Sequence, residues 1–90
     1  MENQGEIEKM KFDITLTISL KEGMLDPEAA AIQNAITNLG YATESLRTAR
    51  LYRIRLDAPD KKAAREMAVK MCERLLANPV IHRYEIEVSG

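Results

Sequence analysis

From Lys11 to Leu20 the chain alternates without a fault. Phe12, Ile14, Leu16, Ile18 and Leu20 fall on one side, and Lys11, Asp13, Thr15, Thr17 and Ser19 on the other. Successive side chains of a strand point to opposite faces, so this period of two predicts a strand with one buried face. Lys21-Glu22-Gly23 breaks the alternation, and Asp26-Pro27 opens a helix. Asp26 can accept a backbone N–H as N-cap, and Pro27 fits the first helical position, where its missing N–H costs nothing. Ile32, Ala35, Ile36 and Leu39 then recur at steps of three and four, making one apolar stripe. Gly40 is placed to end the helix in a left-handed conformation.

Period two returns from about Thr43 to Ala58. Leu46, Tyr52, Ile54 and Leu56 share one parity, Arg47, Arg53, Arg55 and Asp57 the other, and Thr48 and Arg50 occupy would-be inward positions. The pattern fits one long strand bent near Ala49, or two short strands joined there. Ala58-Pro59-Asp60 punctuates again, with Asp60 as N-cap of a second helix whose buried stripe is Ala64, Met67, Ala68, Met71, Cys72, Leu75 and Leu76. Asn78-Pro79 closes it, because a residue before proline is pushed out of helical geometry. A last strand puts His82, Tyr84, Ile86 and Val88 on one face and Arg83, Glu85 and Glu87 on the other. Residues 1–9 read as a flexible N-terminal tail, which leaves 10–90 as a single domain. The order β-α-β(β)-α-β predicts an α+β two-layer sandwich: both helices on one face of a mostly antiparallel sheet, with a long or bent middle strand and a polar opposite face.

Ninety residues, 46% hydrophobic and 30% charged, suit one small globular domain. A domain this size buries only about 60% of its unfolded surface, so self-association as a dimer or tetramer is expected. Thirteen basic against fourteen acidic residues leave a formal net charge of −1, which supplies no field for nucleic acid or anionic lipid. Phe12, Tyr41, Tyr52 and Tyr84 are the only aromatics, little for base stacking. The apolar runs fall far short of the ~20 residues that span a bilayer. No N-terminal apolar run marks a signal peptide, and one cysteine allows no internal disulfide. A cytoplasmic protein that binds neither nucleic acid nor membrane is the expectation.

Candidate chemistry is thin. A metal site needs clustered ligands, and the chain offers one histidine, His82, and one cysteine, Cys72, on different elements. Cys72 lies on the apolar stripe of the second helix and reads as a buried, inert thiol. His82 lacks a titratable partner nearby and reads as a surface or interface residue rather than a general base. The four glycines make no phosphate-binding spacing. The most unusual feature is the series Arg47, Arg50, Arg53 and Arg55. It fits a solvated face paired with Glu85 and Glu87 on a neighbouring strand, or a contact with an anion or partner. Arg50 stands out because it interrupts the hydrophobic parity. No catalytic, cofactor or metal residues emerge.

Two segments go further. Ser19-Leu20-Lys21-Glu22-Gly23-Met24-Leu25-Asp26-Pro27 resembles the strand-to-helix corner of the PurS family, the PurS subunits of phosphoribosylformylglycinamidine (FGAM) synthase. Met71-Cys72-Glu73-Arg74-Leu75-Leu76-Ala77-Asn78-Pro79-Val80-Ile81 is similar, nearly residue for residue, to the family's second signature. In the middle strand the family commonly reads V-R-x-G-K; Leu46-Arg47-Thr48-Ala49-Arg50 keeps the arginine and the second positive charge but has alanine for glycine. His82-Arg83 stands where the family often has acids.

The resemblance implies a non-catalytic subunit that bridges a PurQ glutaminase and a PurL synthetase and supports ammonia transfer. Formylglycinamide ribonucleotide, ATP, glutamine and water would then become FGAM, ADP, phosphate and glutamate, with ATP and magnesium in the PurL partner. Arg47, Arg50, Asn78 and His82 are the candidate partner-interface residues. A metabolite-binding regulatory module of similar α+β fold is the alternative.

Overall fold

The computed structural model describes residues 9–90; nearly all of the expected tail, residues 1–8, lies outside the described residues. Strand β1 (Met10–Leu20) leads to helix α1 (Pro27–Asn38), strand β2 (Ala49–Ala58), helix α2 (Lys61–Met71) with one π-helical turn at Cys72–Leu76, and strand β3 (His82–Ser89). The sheet order is β2-β1-β3 with both pairings antiparallel. The middle strand is neither bent nor doubled: residues 41–48 are irregular, and β2 starts at Ala49. No non-glycine residue among those described has a positive φ, so Ala49 serves as ordinary extended backbone at the start of β2.

Register explains the core. Leu16 faces Tyr52 on β2 and Ile86 on β3, and Ile14 faces Ile54 and Val88, so the apolar parities of three strands share one face. Phe12, Ile14, Leu16 and Ile18 are buried there. Against most of that row lies α2, through Ala64, Ala68 and Cys72, each 0% exposed. Small side chains four residues apart form a narrow stripe that brings the helix backbone close to the sheet. Asp60 caps α2, its carboxylate accepting the Ala63 N–H at 2.7 Å. The π turn, closed by Ala77 N–H donating to the Cys72 carbonyl at 2.9 Å, widens the helix by one residue. That turn carries Leu76 towards the core and swings Leu75 out to 82% exposure, so Leu75 leaves the stripe that periodicity alone assigns it. Met67, at the margin of the stripe, is also exposed.

Burial pushes the Cys72 thiol up from its ordinary pKa, as expected for an inert packing cysteine. Replacing Cys72 with alanine should destabilise the chain by about 1–2 kcal/mol through lost packing and leave assembly intact. A thiol reagent should label the native protein only on unfolding; labelling within seconds would contradict the burial.

The two helices differ in how much of the sheet they cover. α2 packs on all three strands, whereas α1 makes no comparable contact with any of them. Its expected apolar stripe is therefore largely bare: Ile32 is 40% and Leu39 75% exposed, and of the whole helix only Ala29 is buried. The molecule measures 64 × 26 × 15 Å with a radius of gyration of 18.3 Å, against about 12 Å for a compact chain of this length. An 11-residue β1 of about 36 Å and a 12-residue α1 of about 18 Å account for most of that length when placed end to end.

The outer sheet face is polar. Lys11 pairs with Asp57 at 3.1 Å and Arg55 with Asp13 at 2.9 Å, all exposed. The sequence reading put the arginines opposite Glu85 and Glu87, but β1 lies between β2 and β3. The carboxylate that meets Arg55 is therefore Asp13 on β1, and the hydrogen bond from the Arg55 guanidinium holds the Asp13 carboxyl below its usual range.

Candidate functional site

The sheet end not covered by α2 opens into a groove of about 720 Å³ beside the start of α1. Its floor follows from the register. Ile18 faces Arg50 on one side and Tyr84 on the other, and Leu20 faces His82. Tyr52 and Leu76 border the floor on the α2 side, and Arg47, Thr48 and Glu28 form the rim.

A web of polar contacts holds that rim. Gly23 turns the chain after β1 with φ of 83°, a conformation that costs glycine nothing. Asp26 then accepts twice: its Oδ1 takes the Ala29 N–H at 3.0 Å, capping α1, and its Oδ2 takes the Thr48 hydroxyl at 2.9 Å. Arg47 donates to Glu22, tying the turn after β1 to the approach to β2. Further out, Gln33 Nε2 donates to the Thr43 carbonyl at 3.1 Å and to its hydroxyl at 3.0 Å. Helix α1 and the returning segment 41–48 are thus braced together as one arm.

The same contacts set a pH dependence. The Ala29 N–H, then the Thr48 hydroxyl, hold the Asp26 carboxyl below its ordinary value of 3.8, and Arg47 does likewise for Glu22. A depressed native pKa means stability that is complete above the unfolded value and lost as pH falls through the native one. The melting temperature should therefore drop below about pH 4. Asp26→Ala should lower it at neutral pH and make the acid decline shallower. Thermal melts between pH 2 and 7 check this; an unchanged acid slope in the variant would refute the role given to Asp26.

Three of the four candidates from sequence line the groove. Arg50 has the inward parity expected of it, is exposed, and makes no ion pair with a described residue. Arg47, read as a solvent-facing strand residue, instead precedes β2 and is held by Glu22; the alternation of Leu46 and Arg47 continued by chance into irregular chain. His82 opens β3, its Nδ1 accepting the Asn78 N–H at 2.9 Å, which leaves Nε2 available to the groove. Asn78 does not line the groove. It shapes the turn, its side-chain carbonyl accepting the Val80 N–H at 3.0 Å and its backbone carbonyl the His82 N–H at 2.7 Å. Sequence reasoning missed Glu22 and Thr48, whose partners lie 25 and 22 residues away. The hint for Glu22 was its place in the strand-to-helix corner.

Among the described residues no three His, Cys, Asp or Glu side chains come together as a metal site, and no described helix is long and apolar enough to cross a membrane. A guanidinium with no ion pair among the described residues and an imidazole above an apolar floor are recognition groups suited to a carboxylate and an apolar side chain.

Comparison with known proteins agrees. The family model described as "PurS: Phosphoribosylformylglycinamidine (FGAM) synthase" matches residues 13–90. The FGAM synthase subunit PurS of Methanothermobacter thermautotrophicus is 41% identical over 80 residues, 89% of this chain and 95% of that protein. The crystal structure of Methanocaldococcus jannaschii PurS superposes with a TM-score of 0.79 at 38% identity, over 87% of this chain and 95% of that one. A chain in the structure of PurLQS from Thermotoga maritima gives 0.82 at 26% identity, over 89% and 99%. By family model, sequence identity and superposition alike, the chain belongs to the PurS family of FGAM synthase subunits.

Proposed function

We propose that this chain is the small non-catalytic subunit of an FGAM synthase. In that role it bridges a PurQ glutaminase and a PurL ATP-dependent synthetase in purine biosynthesis and supports ammonia transfer between them. The likeness to a chain of the PurLQS structure carries the reading, and the groove, built for recognition rather than bond-making, agrees with it. ATP and magnesium belong to the PurL partner, and the work is cytoplasmic, in keeping with a lone buried thiol. Residues 10–90 are the working domain, and residues 1–9 precede it. The groove end of the sheet is the contact surface: Arg47, Arg50 and His82 present the polar groups, and Asn78 holds His82 in place. The test is glutamine-dependent turnover by PurL and PurQ with and without this chain. Undiminished turnover in its absence would refute the bridging role.

A further inference from the structure

We infer that the outer edge of β2 is the docking site for an extended, acidic segment of a partner subunit, which adds a fourth strand to the sheet and sets a carboxylate against Arg53. The inference rests on the bridging role: a bridge needs two contact surfaces, and this edge, from Leu51 to Asp57, supplies one besides the groove end.

Ladder geometry identifies the free backbone groups. The Lys21 N–H donates to the Ile81 carbonyl at 2.8 Å, in register with the β1–β3 pairs that begin at Leu20↔His82. Bonded and non-bonded pairs alternate along an antiparallel ladder. Ser19, Thr17 and Thr15 therefore bond to β3, while Ile18, Leu16 and Ile14 bond to β2. Their β2 partners are Arg50, Tyr52 and Ile54. The N–H and C=O groups of Leu51, Arg53, Arg55 and Asp57 consequently point away from the sheet.

The two edges are not alike. On β3 the same alternation turns the Ile86 carbonyl outward, and Arg65 of α2 donates to it at 3.2 Å, which covers that edge. No described residue bonds to the outward backbone groups of β2. Ten unbroken pairs with β1 leave β2 without a bulge, and it contains no proline. A long, regular edge without those devices is a template for another strand. Main-chain bonds then give affinity, and alternate side chains give specificity.

Side chains select the occupant. On the outer face Arg55 is met by Asp13 and Asp57 by Lys11. Arg53 is exposed and has no ion pair among the described residues. An incoming strand therefore needs a carboxylate across from Arg53 and an apolar side chain across from the exposed Leu51. On the inner face Tyr52, Ile54 and Leu56 are only half-buried, so the alternate positions of that strand are apolar. A second copy does not meet these demands. β2 against β2 about a two-fold axis sets arginine across from arginine in every central register, which is repulsive, and the edge of β3 is already covered by Arg65.

Hydrogen exchange, read residue by residue by mass spectrometry, tests this on the isolated chain and on its complex with PurL and PurQ. In the isolated chain the Arg53 and Arg55 amides should exchange at least about a hundredfold faster than those of Tyr52 and Ile54, which bond to β1. In the complex they should slow at least about tenfold. Complexes with PurL alone and with PurQ alone then show which subunit supplies the strand. Arg53→Pro removes one outward N–H and no bond to β1, a place where an edge strand tolerates proline. It should raise the dissociation constant of the complex at least about tenfold. Arg53→Glu, an exposed substitution, should act in the same direction through charge, and it replaces the proline variant if circular dichroism shows that variant unfolded. Amides that stay fast in a complex that forms and uses glutamine would overturn the edge site and leave the bridging role standing. Amides already slow in the isolated chain would also overturn it, by placing a second copy on the edge. Failure to bind either PurL or PurQ would refute the bridging role and the edge site together.

Discussion

Leaving this chain out of a mixture of PurL and PurQ should lower glutamine-dependent FGAM formation on the order of a hundredfold, while ammonia-dependent formation by PurL changes little. The size follows from tethering. A bridge that holds two enzymes together turns a second encounter into an intramolecular one, and such linkage commonly raises effective association by 10²–10⁴. Ammonia released into bulk water is diluted and largely protonated, so it reaches the synthetase as a poor nucleophile. Supplying ammonia externally bypasses the need for the bridge. Coupled assays of glutamate and ADP release, with either nitrogen source, separate the two cases. An equal loss with ammonia and with glutamine would mean that the chain supports PurL folding or ATP chemistry instead of transfer.

Leu16→Ala should cost about 2–5 kcal/mol of folding stability. Leu16 is 0% exposed at the middle of the central strand, facing Tyr52 and Ile86 across both ladders, so its loss opens a cavity that neither neighbour can fill without giving up register. Small domains hold only about 5–15 kcal/mol in total, so the variant should unfold at far lower denaturant concentration, with the population of unfolded chain detectable without denaturant. Leu75→Ala, on a side chain 82% exposed, should change the stability of the isolated chain by about 0.5 kcal/mol or less. Urea unfolding followed by circular dichroism compares the two. Equal midpoints would show that the core is elsewhere.

What was legible in the sequence was what depends on neighbours along the chain. The alternation of β1, the caps at Asp26 and Asp60 and the closing turn at Gly40, whose φ is 101°, are set within a few residues, and all stand as read. The placement of Arg47 was not legible, because two alternating residues in irregular chain look like a strand. The partner of Arg55 depends on strand order, which no local pattern carries. Periodicity said that Ile32, Ala35, Ile36 and Leu39 want cover, but it cannot say whose surface provides it. For the groove, the arginine at an inward position was a visible signal; its neighbours Glu22 and Thr48 become meaningful only once the turn after β1 meets the approach to β2.

The position of β1 between β2 and β3 also has a consequence for synthesis. The first strand made must wait for the last: Asp13 pairs with Ser89, almost the full length of the domain away. At about 5–20 residues per second, the ribosome needs several seconds after making β1 before β3 exists. During that interval Phe12, Ile14, Leu16 and Ile18 sit beside an unfilled ladder, a stretch that can pair with any extended chain nearby. The sheet is therefore completed only once β3 has been made and has cleared the ribosome. A premature stop anywhere before His82 removes the strand that closes the sheet, leaving an aggregation-prone fragment instead of a smaller working domain.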